Sequence, residues 1–432
     1  AAHRTSWITV CPDPLPGEPW RFLLASDHQC QAGVQPTVEA ISHAALGEPF
    51  HGILFPGDLV DLADDPASWF GAPGGQSFID SMAAPVRKVF CESASRSGDE
   101  GQLSKQAARS AGVAKTTESV FPPGWPVLST TPIFVCAGNH DISSDRGRNA
   151  IERARSVSPQ NWDMETFGAL FLPKDTPVAP SASELLSACP SSATPSARSS
   201  AATPSALSAS ILDPSATHSL VPPGCYTASI GPLRILSLTV VRRWVPGDHA
   251  RQTGPCYQLP GRFIFEPITP GSRQLEWARQ QIGAAERSVA LHVALLHHPP
   301  YAQGCNTLPF FDEPLAYETN QIARHLVPVV APWAHLVLSG HNHAMNHHQI
   351  DGVHYYESSH MGPGKAPWAE LPDGSPAPEP LGNDSLFFAG EEEATYYSVL
   401  EVVEQGQSIR AMIKCHRVHA EGGVEVAYDF RL

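Results

Sequence analysis

The chain has 432 residues, which is enough to bury a large core as one domain or two. Its 28 basic and 43 acidic residues give a formal charge of −15, without a run of Lys or Arg. This argues against duplex nucleic acid as a partner, because such binding needs many basic contacts to phosphate. An anionic substrate would therefore need a bound cation. No apolar stretch approaches the roughly 18 residues of a transmembrane helix, so no membrane span is expected.

Five short apolar runs that end in polar clusters are predicted to be buried strands. They cover residues 21–26, 52–56, 132–137, 290–296 and 335–339. Helical periodicity over residues 273–285 precedes the fourth run, so strands and helices alternate as in a layered α/β protein. Beyond residue 395, three further runs are typical of consecutive antiparallel strands.

Two segments interrupt this order. Residues 64–130 are rich in Gly, Pro and Ser, and residues 176–220 are a low-complexity stretch of Ala, Ser, Pro and Thr. The second segment could be a linker between domains, but the polar clusters on both sides of it look like parts of one site. We therefore predict a single domain over residues 1–432, with insertions at about 64–130 and about 176–220.

The cysteines and the first residues give a weak indication of the compartment. The nine cysteines form no CxxC pair, which argues against a thiolate zinc site. Several lie in Gly/Pro-rich loops, such as Cys225 and Cys256, where disulfides could form in an oxidising compartment. The sequence begins without Met, as it would after removal of an export signal or after trimming. A secreted or otherwise extracytoplasmic location is favoured, with a cytoplasmic one as the alternative.

The candidate chemistry follows the first three predicted strands. Asp27 ends the first strand, and the sequence GDLVD then places Asp58 after a glycine with Asp61 three residues later. The sequence CAGNHD places Asn139 and His140 after the third strand. Glycine at these corners lets the backbone turn tightly, so short side chains can converge on a common centre.

Two histidine motifs follow the last two strands of this series. LLHHPPY contains His297 and His298, and SGHNH places His341 and His343 two residues apart. Each motif alone has an ordinary explanation as a helix cap, a turn or a surface histidine. The joint order is hard to obtain by chance, because carboxylate, GDxxD, GNHD, His and GHxH each end an apolar run.

This order of motifs resembles the calcineurin-like metallophosphoesterase superfamily, from about residue 21 to the end and outside the two insertions. The superfamily includes protein Ser/Thr phosphatases, purple acid phosphatases, cyclic-nucleotide phosphodiesterases and nucleotidases. The resemblance implies an α/β fold with a four-layer α/β/β/α sandwich, in which two mixed sheets are flanked by helices. It also implies two metal ions at the carboxyl edges of the strands.

The resemblance implies a role for each motif residue. Asp27 and His343 would hold the first metal, and Asn139, His297 and His341 would hold the second, with Asp58 bridging the two. A hydroxide between the metals would attack phosphorus in line. In relatives with GDxxD the second acid pairs with the histidine of GNHD, which implies that Asp61 partners His140. This dyad would protonate the leaving oxygen or hold a phosphate oxygen.

Two departures from the pattern affect the expected metals. The first motif is usually DxH, whereas Gln29 stands at its third position here. An amide oxygen is a harder and weaker donor than imidazole, so the first site should favour Mg, Mn, Fe or Ca over Zn. The two metal ions together are expected to be Fe, Mn, Mg or Zn. Strand alternation favours Gln29 as the ligand, although a bulge could turn His28 inward. Purple acid phosphatases have a tyrosine where this chain has Asp61. The sequence LLHHPPY resembles the HxPxY-like turn of those enzymes, which favours His297 over His298 as the metal ligand.

These observations predict a hydrolase of phosphate esters, with small phosphomonoesters favoured because the first insertion could cover the site. Candidate substrate-binding residues are Arg242 and Arg243, which follow a strand, and His360, which precedes a Gly-rich loop. One alternative is a phosphodiesterase acting on cyclic nucleotides or nucleotide diesters. Another is a catalytically silent surface or assembly protein that keeps the fold.

Overall fold

The computed structural model describes the strands, the helices and the loops that join them around the predicted site. The described residues are 13–60, 78, 82, 131–141, 222, 224–246, 261–284, 290–301, 321–358, 361–362, 385–390, 394–406, 408–420 and 422–432. In the two segments 241–246 and 261–265, only the backbone is described.

The first sheet has six strands in the order β15-β14-β13-β1-β2-β3. These strands are β1 (Trp20–Leu24), β2 (Gly52–Phe55), β3 (Ile133–Val135), β13 (Ala394–Gln405), β14 (Ser408–His419) and β15 (Val424–Arg431). The strands β1, β2 and β3 run parallel, whereas β13 pairs antiparallel with β1. The parallel strands therefore lie beside a C-terminal antiparallel meander.

The second sheet has seven strands in the order β12-β10-β11-β9-β8-β5-β4. These strands are β4 (Tyr226–Ile230), β5 (Leu233–Ser237), β8 (Leu291–Leu295), β9 (Leu336–Ser339), β10 (Met345–Ile350), β11 (Val353–Ser358) and β12 (Ser385–Ala389). The strands β5, β8, β9 and β11 run parallel. A separate hairpin is formed by β6 (Val241–Pro246) and β7 (Gly261–Phe265).

Helices follow the parallel strands. A 3₁₀ turn (Ala32–Val34) leads into α1 (Gln35–Gly47), whose second residue, Pro36, suits the first turn of a helix. The helix α2 (Arg273–Ala284) precedes β8 of the second sheet along the chain. A π-helical turn (Ile322–Leu326) continues into the short helix α3 (Val327–Val330), which precedes β9.

Three hydrophobic clusters hold these elements together. The first joins the first sheet to α1, where Val38 and Ile41 lie one turn apart and are both buried. The second contains residues from both sheets, including Phe22 and Tyr356. The third joins the second sheet to α2 and α3. Truncation of Phe22, which is fully buried, would cost about 3–5 kcal/mol, so the contact between the sheets contributes strongly to stability.

The sequence-based strand predictions are confirmed in the described part of the chain. All five predicted runs contain a strand, the predicted helix over 273–285 is α2, and the three C-terminal runs are β13, β14 and β15. The α/β class and the two mixed sheets are likewise confirmed. The four-layer order of the whole domain and the boundaries of the two insertions stay predictions. Within the described segments, no helix combines the length and apolar character required to cross a bilayer.

Cys225 lies in one of the loops where a disulfide could form, but it is a free cysteine in the structure. Its side chain is a buried thiol that donates a hydrogen bond to Gln274 Oε1 at 2.9 Å. Gln274 Oε1 also accepts the backbone N–H of Thr239, and Gln274 Nε2 donates to the carbonyl of Thr239. The thiol is therefore part of a hydrogen-bond network centred on Gln274 of α2. Cys256 lies outside the described residues.

A buried histidine on β10 makes the folding stability depend on pH. His347 forms hydrogen bonds with His354 on β11 and Tyr428 on β15, each at 2.9 Å, and its ring stacks on Phe430. Burial lowers the pKa of His347 from 6.5 to about 3, with further lowering by the charges of His354 and His348. The folded state therefore keeps a neutral imidazole at a pH where the unfolded chain binds a proton.

We expect His347→Gln to flatten the acid side of the stability curve. As pH falls from 6.5 towards about 3, the unfolded chain gains a proton that folded His347 does not, so stability is lost across this window. The glutamine variant should lose this proton, and its slope should be smaller by up to about 1.4 kcal/mol per pH unit. Urea unfolding at several pH values measures the slope, with exposed His43→Gln as the control. Equal slopes for both variants would contradict this account.

Candidate metal centre

The predicted site residues follow strands from both sheets. Asp27, Asp58 and Asn139 follow the parallel strands β1, β2 and β3 of the first sheet. His297 and His341 follow the parallel strands β8 and β9 of the second sheet. Carboxyl ends of parallel strands meet at one edge, so each sheet delivers its polar residues to a single place. All five residues are buried.

One group of donor atoms consists of Asn139, His297 and His341. Asn139 Oδ1 lies 3.0 Å from His297 Nε2 and 3.0 Å from His341 Nδ1. The two ring nitrogens are 3.3 Å apart. Two donors bound at about 2.1 Å to one ion, at right angles, would be about 3.0 Å apart. The three side chains therefore have the spacing that a single metal ion requires.

A second group forms around Asp27. His343 Nε2 lies 3.7 Å from Asp27 Oδ1, and the backbone N–H of His341 donates to Asp27 Oδ2 at 3.0 Å. The hydroxyl of Ser26 donates to the same carboxylate at 2.6 Å. Asp27 is thus oriented from both sheets, with His343 as its neighbouring nitrogen donor.

Asp58 lies between the two groups. Its Oδ1 is 3.4 Å from His297 Nε2 and accepts the backbone N–H of His140 at 2.9 Å. Its Oδ2 accepts a hydrogen bond from Gln29 Nε2 at 2.7 Å. Asp27, Asp58 and His297 each offer a ligand atom within 4.8 Å of the others. A carboxylate in this position can contact ions on both sides.

Gln29, rather than His28, faces the site. His28 points into the apolar cluster around α1, where its ring meets the edge of Phe78 at 5.2 Å, and burial lowers the pKa of His28 to about 3. The prediction reached Gln29 through strand alternation, but β1 ends at Leu24 and the residues after it are not extended. Gln29 turns inward because its φ is 44°. Its Oε1 accepts from Gln31 Nε2 at 2.7 Å.

The backbone is strained where the predicted ligands lie. Among the described residues, seven that are not glycine have positive φ, and five of these are predicted metal ligands: Asp27 (58°), Gln29 (44°), Asp58 (54°), His341 (90°) and His343 (54°). Left-handed backbone in such residues costs about 1–3 kcal/mol each and persists only where the surroundings impose it. Strain of this kind clusters at functional sites.

Two glycines leave room for the acidic side chains. A Cβ on Gly138 would overlap the carboxylate and backbone nitrogen of Asp58. A Cβ on Gly340 would lie 2.7 Å from Asp27 Oδ2 and would also overlap the hydroxyl of Ser26. The glycines of GNHD and GHNH are therefore required by close approach to the carboxylates.

Buried charges dominate the electrostatics of the site. Burial and the charge of Asp58 raise the pKa of Asp27 to about 8, against the opposing effect of His297. Burial alone would raise the pKa of Asp58 as well, but the charges of His297 and His140 hold it well below its usual value. Burial opposes protonation of His297, yet Asp58 raises its pKa to about 9. A bound cation would stabilise Asp27 as a carboxylate, which fits this set of donors.

Asp141 is a residue that the sequence analysis missed. Its carboxylate accepts backbone N–H groups from both GD and GN loops: Asp58 at 2.7 Å, Leu59 at 2.8 Å, Val60 at 3.3 Å and Gly138 at 2.9 Å. The available signal was the last residue of GNHD, which places an acid directly after Asn139 and His140. Asp141 is fully buried, and burial together with the charge of Asp58 raises its pKa to about 7.

His298 is also buried at the site. Its ring centroid lies 4.1 Å from that of His341. The potential ligand atoms of His297, His298 and His341 all lie within 4.8 Å of one another. His140 also lies near the site, with its Nε2 4.0 Å from Asp58 Oδ2. Both histidines of HHPP, His297 and His298, therefore lie beside His341.

Other predicted residues cannot be placed against this site. Asp61 and His360 lie outside the described residues. Arg242 and Arg243 lie on β6, where only the backbone is described. The proposed pairing of Asp61 with His140 and the substrate-binding roles stay predictions.

Comparison with known proteins gives only distant likenesses. Neither a family model nor a curated protein matches the sequence. Among solved structures, GAP50, the anchor in the inner membrane complex of Plasmodium, is 12% identical, with 96% of this chain and 89% of that chain covered and a TM-score of 0.43. The yellow lupin purple acid phosphatase PPD1 is 11% identical, with coverage of 97% and 55% and a TM-score of 0.47. PhoD is 10% identical, with coverage of 97% and 71% and a TM-score of 0.46.

PPD1 and PhoD have metallophosphoesterase-type folds. With identities of 10–12%, what the chain does has to be argued from its own site.

Proposed function

We propose that the chain hydrolyses phosphate esters at a dinuclear metal site. In this proposal Asp27, Gln29 and His343 hold the first ion, Asn139, His297 and His341 hold the second, and Asp58 bridges them. One observation carries the proposal: buried carboxylates and imidazoles converge on strained backbone, where five of seven left-handed residues are candidate ligands. Strained backbone of this kind is concentrated at ligand-binding and active sites, which supports a metal-binding role here.

The expected ions follow from the donor types. Two bound dications would supply Lewis-acid activation of water and of the phosphoryl oxygens. The nitrogen-rich group around His297 suits Fe, Zn or Mn, whereas the oxygen-rich group around Asp27 suits Mg, Mn or Fe, with Ca as a further candidate. Gln29 is the weakest of the proposed ligands, because its Oε1, the atom that would bind the ion, accepts a hydrogen bond from Gln31 while its Nε2 donates to Asp58.

The protein groups around the ions would position the reaction. His140 has its Nε2 4.0 Å from Asp58 Oδ2 and keeps 13% of its side chain exposed. Its backbone N–H donates to Asp58 Oδ1, and its side chain is the more exposed of the two. In that position His140 can give a proton to the leaving oxygen or hold a phosphate oxygen, with Asp61 as its proposed partner.

His140→Ala is expected to lower turnover by roughly 10²–10⁴-fold while the metal content stays the same. The backbone N–H that holds Asp58 remains in the alanine variant, so the site keeps its shape. Metal analysis and steady-state kinetics on the same preparation measure the two effects, with exposed His43→Ala as the control. Unchanged turnover would remove His140 from the mechanism.

Small phosphomonoesters are the proposed substrates. The insertion at about 64–130 falls between Asp58 and Asn139. The two residues described within it, Phe78 and Met82, are buried in the cluster that joins α1 to the first sheet, and Phe78 contacts the ring of His28. Part of this insertion is therefore anchored beside the first ligand loop, where it could restrict large substrates. A phosphodiesterase would share the same site, and the walls of the pocket would distinguish the two.

Metal analysis of purified protein, together with hydrolysis of p-nitrophenyl phosphate and its bis ester, tests the proposal. We expect about two ions per chain and faster hydrolysis of the monoester. Faster hydrolysis of the bis ester would favour a phosphodiesterase. The enzymatic proposal fails if the protein holds no metal and hydrolyses neither ester with added Mn, Fe, Mg or Zn.

Deletion of residues 176–220 is expected to leave turnover unchanged. This segment is separate in the sequence from the loops that carry the candidate ligands, so a hydrolase should not need it. Kinetics and size-exclusion chromatography on the deletion variant measure activity and association. Retained fold with lost self-association and no activity in either form would favour the assembly protein.

A further inference from the structure

The turn that carries His341 and His343 crosses the end of another strand. It leaves β9 at Ser339 and enters β10 at Met345, and β11 lies between these two strands in the sheet. Backbone N–H groups in such a crossing have left one strand ladder and have not yet joined the next. They need other acceptors, because buried N–H groups are costly without one.

Glu357 lies on β11 at the level of this crossing. Its register partners are Ser339 on β9 and Asn346 on β10, so it stands where the three strands meet. Its side chain is 1% exposed. A carboxylate this deeply buried is tolerated only where its oxygens accept hydrogen bonds.

The hydrogen bonds of Glu357 converge on the centre of the turn. Its Oε1 accepts the backbone N–H of Asn342 at 2.8 Å, and its Oε2 accepts the side-chain amide of Asn342 at 3.2 Å. Oε2 also accepts the side-chain amide of Asn346 at 2.6 Å. Asn342 stands between His341 and His343, and it is fully buried. Glu357 therefore fixes both the backbone and the side chain of the residue that joins the two candidate ligands.

We propose that Glu357 is a positioning residue of the metal centre, acting through Asn342 to hold His341 and His343 in their left-handed conformations. This inference rests on the function proposed above. The two histidines have φ of 90° and 54°, which the turn would not adopt without outside contacts. The carboxylate of Glu357 supplies such contacts from the opposite side of the turn to the ligands.

Glu357→Gln tests the role with little change in size. One oxygen remains for the backbone N–H of Asn342, but the new NH₂ group meets the amide donors of Asn342 and Asn346. We expect the dissociation constant for Mn²⁺, measured by equilibrium dialysis, to rise about 10–100-fold. In the metal-free protein, backbone amides of residues 340–345 should exchange with deuterium faster. Glu401→Gln, which removes a carboxylate paired with Lys414 on the other sheet, should change neither measurement.

An exchange of the two groups separates positioning from a general loss of stability. Asn342→Asp alone would bring two carboxylates together and should weaken Mn²⁺ binding to a similar degree. Asn342→Asp combined with Glu357→Gln restores one amide and one carboxylate across the same contact. The double variant should therefore recover most of the affinity that either single variant loses, which a loss of stability in β11 would not produce.

The outcomes distinguish this inference from the function on which it rests. Unchanged Mn²⁺ affinity and exchange in Glu357→Gln, or no recovery in the double variant, would overturn the positioning role. If the unmodified chain holds no metal and binds none of Mn²⁺, Fe²⁺, Mg²⁺ and Zn²⁺, the proposed function fails instead. In that case the exchange measurement on metal-free protein still decides whether Glu357 holds the turn.

Discussion

Asp58→Asn is expected to lower phosphate-ester turnover by about 10³-fold and to reduce the number of bound ions, while the chain stays folded. Asp58 contacts donors of both proposed metals, so loss of its charge removes the anion between them. The side chain keeps its shape, and asparagine tolerates the φ of 54° at this position better than alanine would. The asparagine variant therefore isolates the charge from the backbone conformation.

The matched control is Asp351→Asn. Asp351 is exposed in the turn between β10 and β11, and its φ of 51° is close to that of Asp58. The same chemical change is thus made in the same backbone conformation, away from the site. Metal analysis and hydrolysis of p-nitrophenyl phosphate measure the effect. An Asp58→Asn variant with two ions and full turnover would remove Asp58 as the bridging ligand.

Asp141→Asn is expected to lower the free energy of unfolding by about 3 kcal/mol. The carboxylate of Asp141 accepts four backbone N–H groups from the two ligand loops, and an amide can accept with only one of its two terminal atoms. The other atom would point an N–H at N–H groups that no water can reach. Because Asp141 does not contact the candidate ligand atoms of the histidines, we expect the loss to appear first in stability.

Urea unfolding of metal-free protein measures this loss. Asp429→Asn, an exposed change of the same kind on β15, is the control and should alter stability by less than about 0.5 kcal/mol. Equal unfolding midpoints for the two variants would show that the loops do not depend on the Asp141 carboxylate.

The strands and the candidate ligands could be predicted from the sequence because both depend on local patterns. An apolar run followed by glycine and an acid places a side chain at a sheet edge, whatever the rest of the chain does. The convergence of Asp27 with His341 depends on two sheets facing each other. No local pattern encodes that contact, and only the order of five motifs indicated it.

The supporting residues were harder to predict because their roles depend on contacts rather than on residue type. Asp141 could have been an ordinary turn residue, and Glu357 stands in a strand whose sequence, VHYYES, gives no sign of a buried carboxylate. Gln29 was predicted to face the site through strand alternation, whereas it does so through left-handed backbone. Backbone conformation in the loops was not available from the apolar pattern.

The register of β1 has a consequence for the order of folding during synthesis. On one side β1 pairs with β2, but on the other it pairs with β13, from Trp20 opposite Val402 to Leu24 opposite Ser398. Closing this pair requires all the residues between β1 and β13, so the first sheet cannot be completed until β13, β14 and β15 have been synthesised. Asp27 and Asp58 are made early, yet their final surroundings come late. Ion binding at the proposed site would then follow the synthesis of β13, and a variant without β13 to β15 is expected to bind ions poorly although every candidate ligand is present.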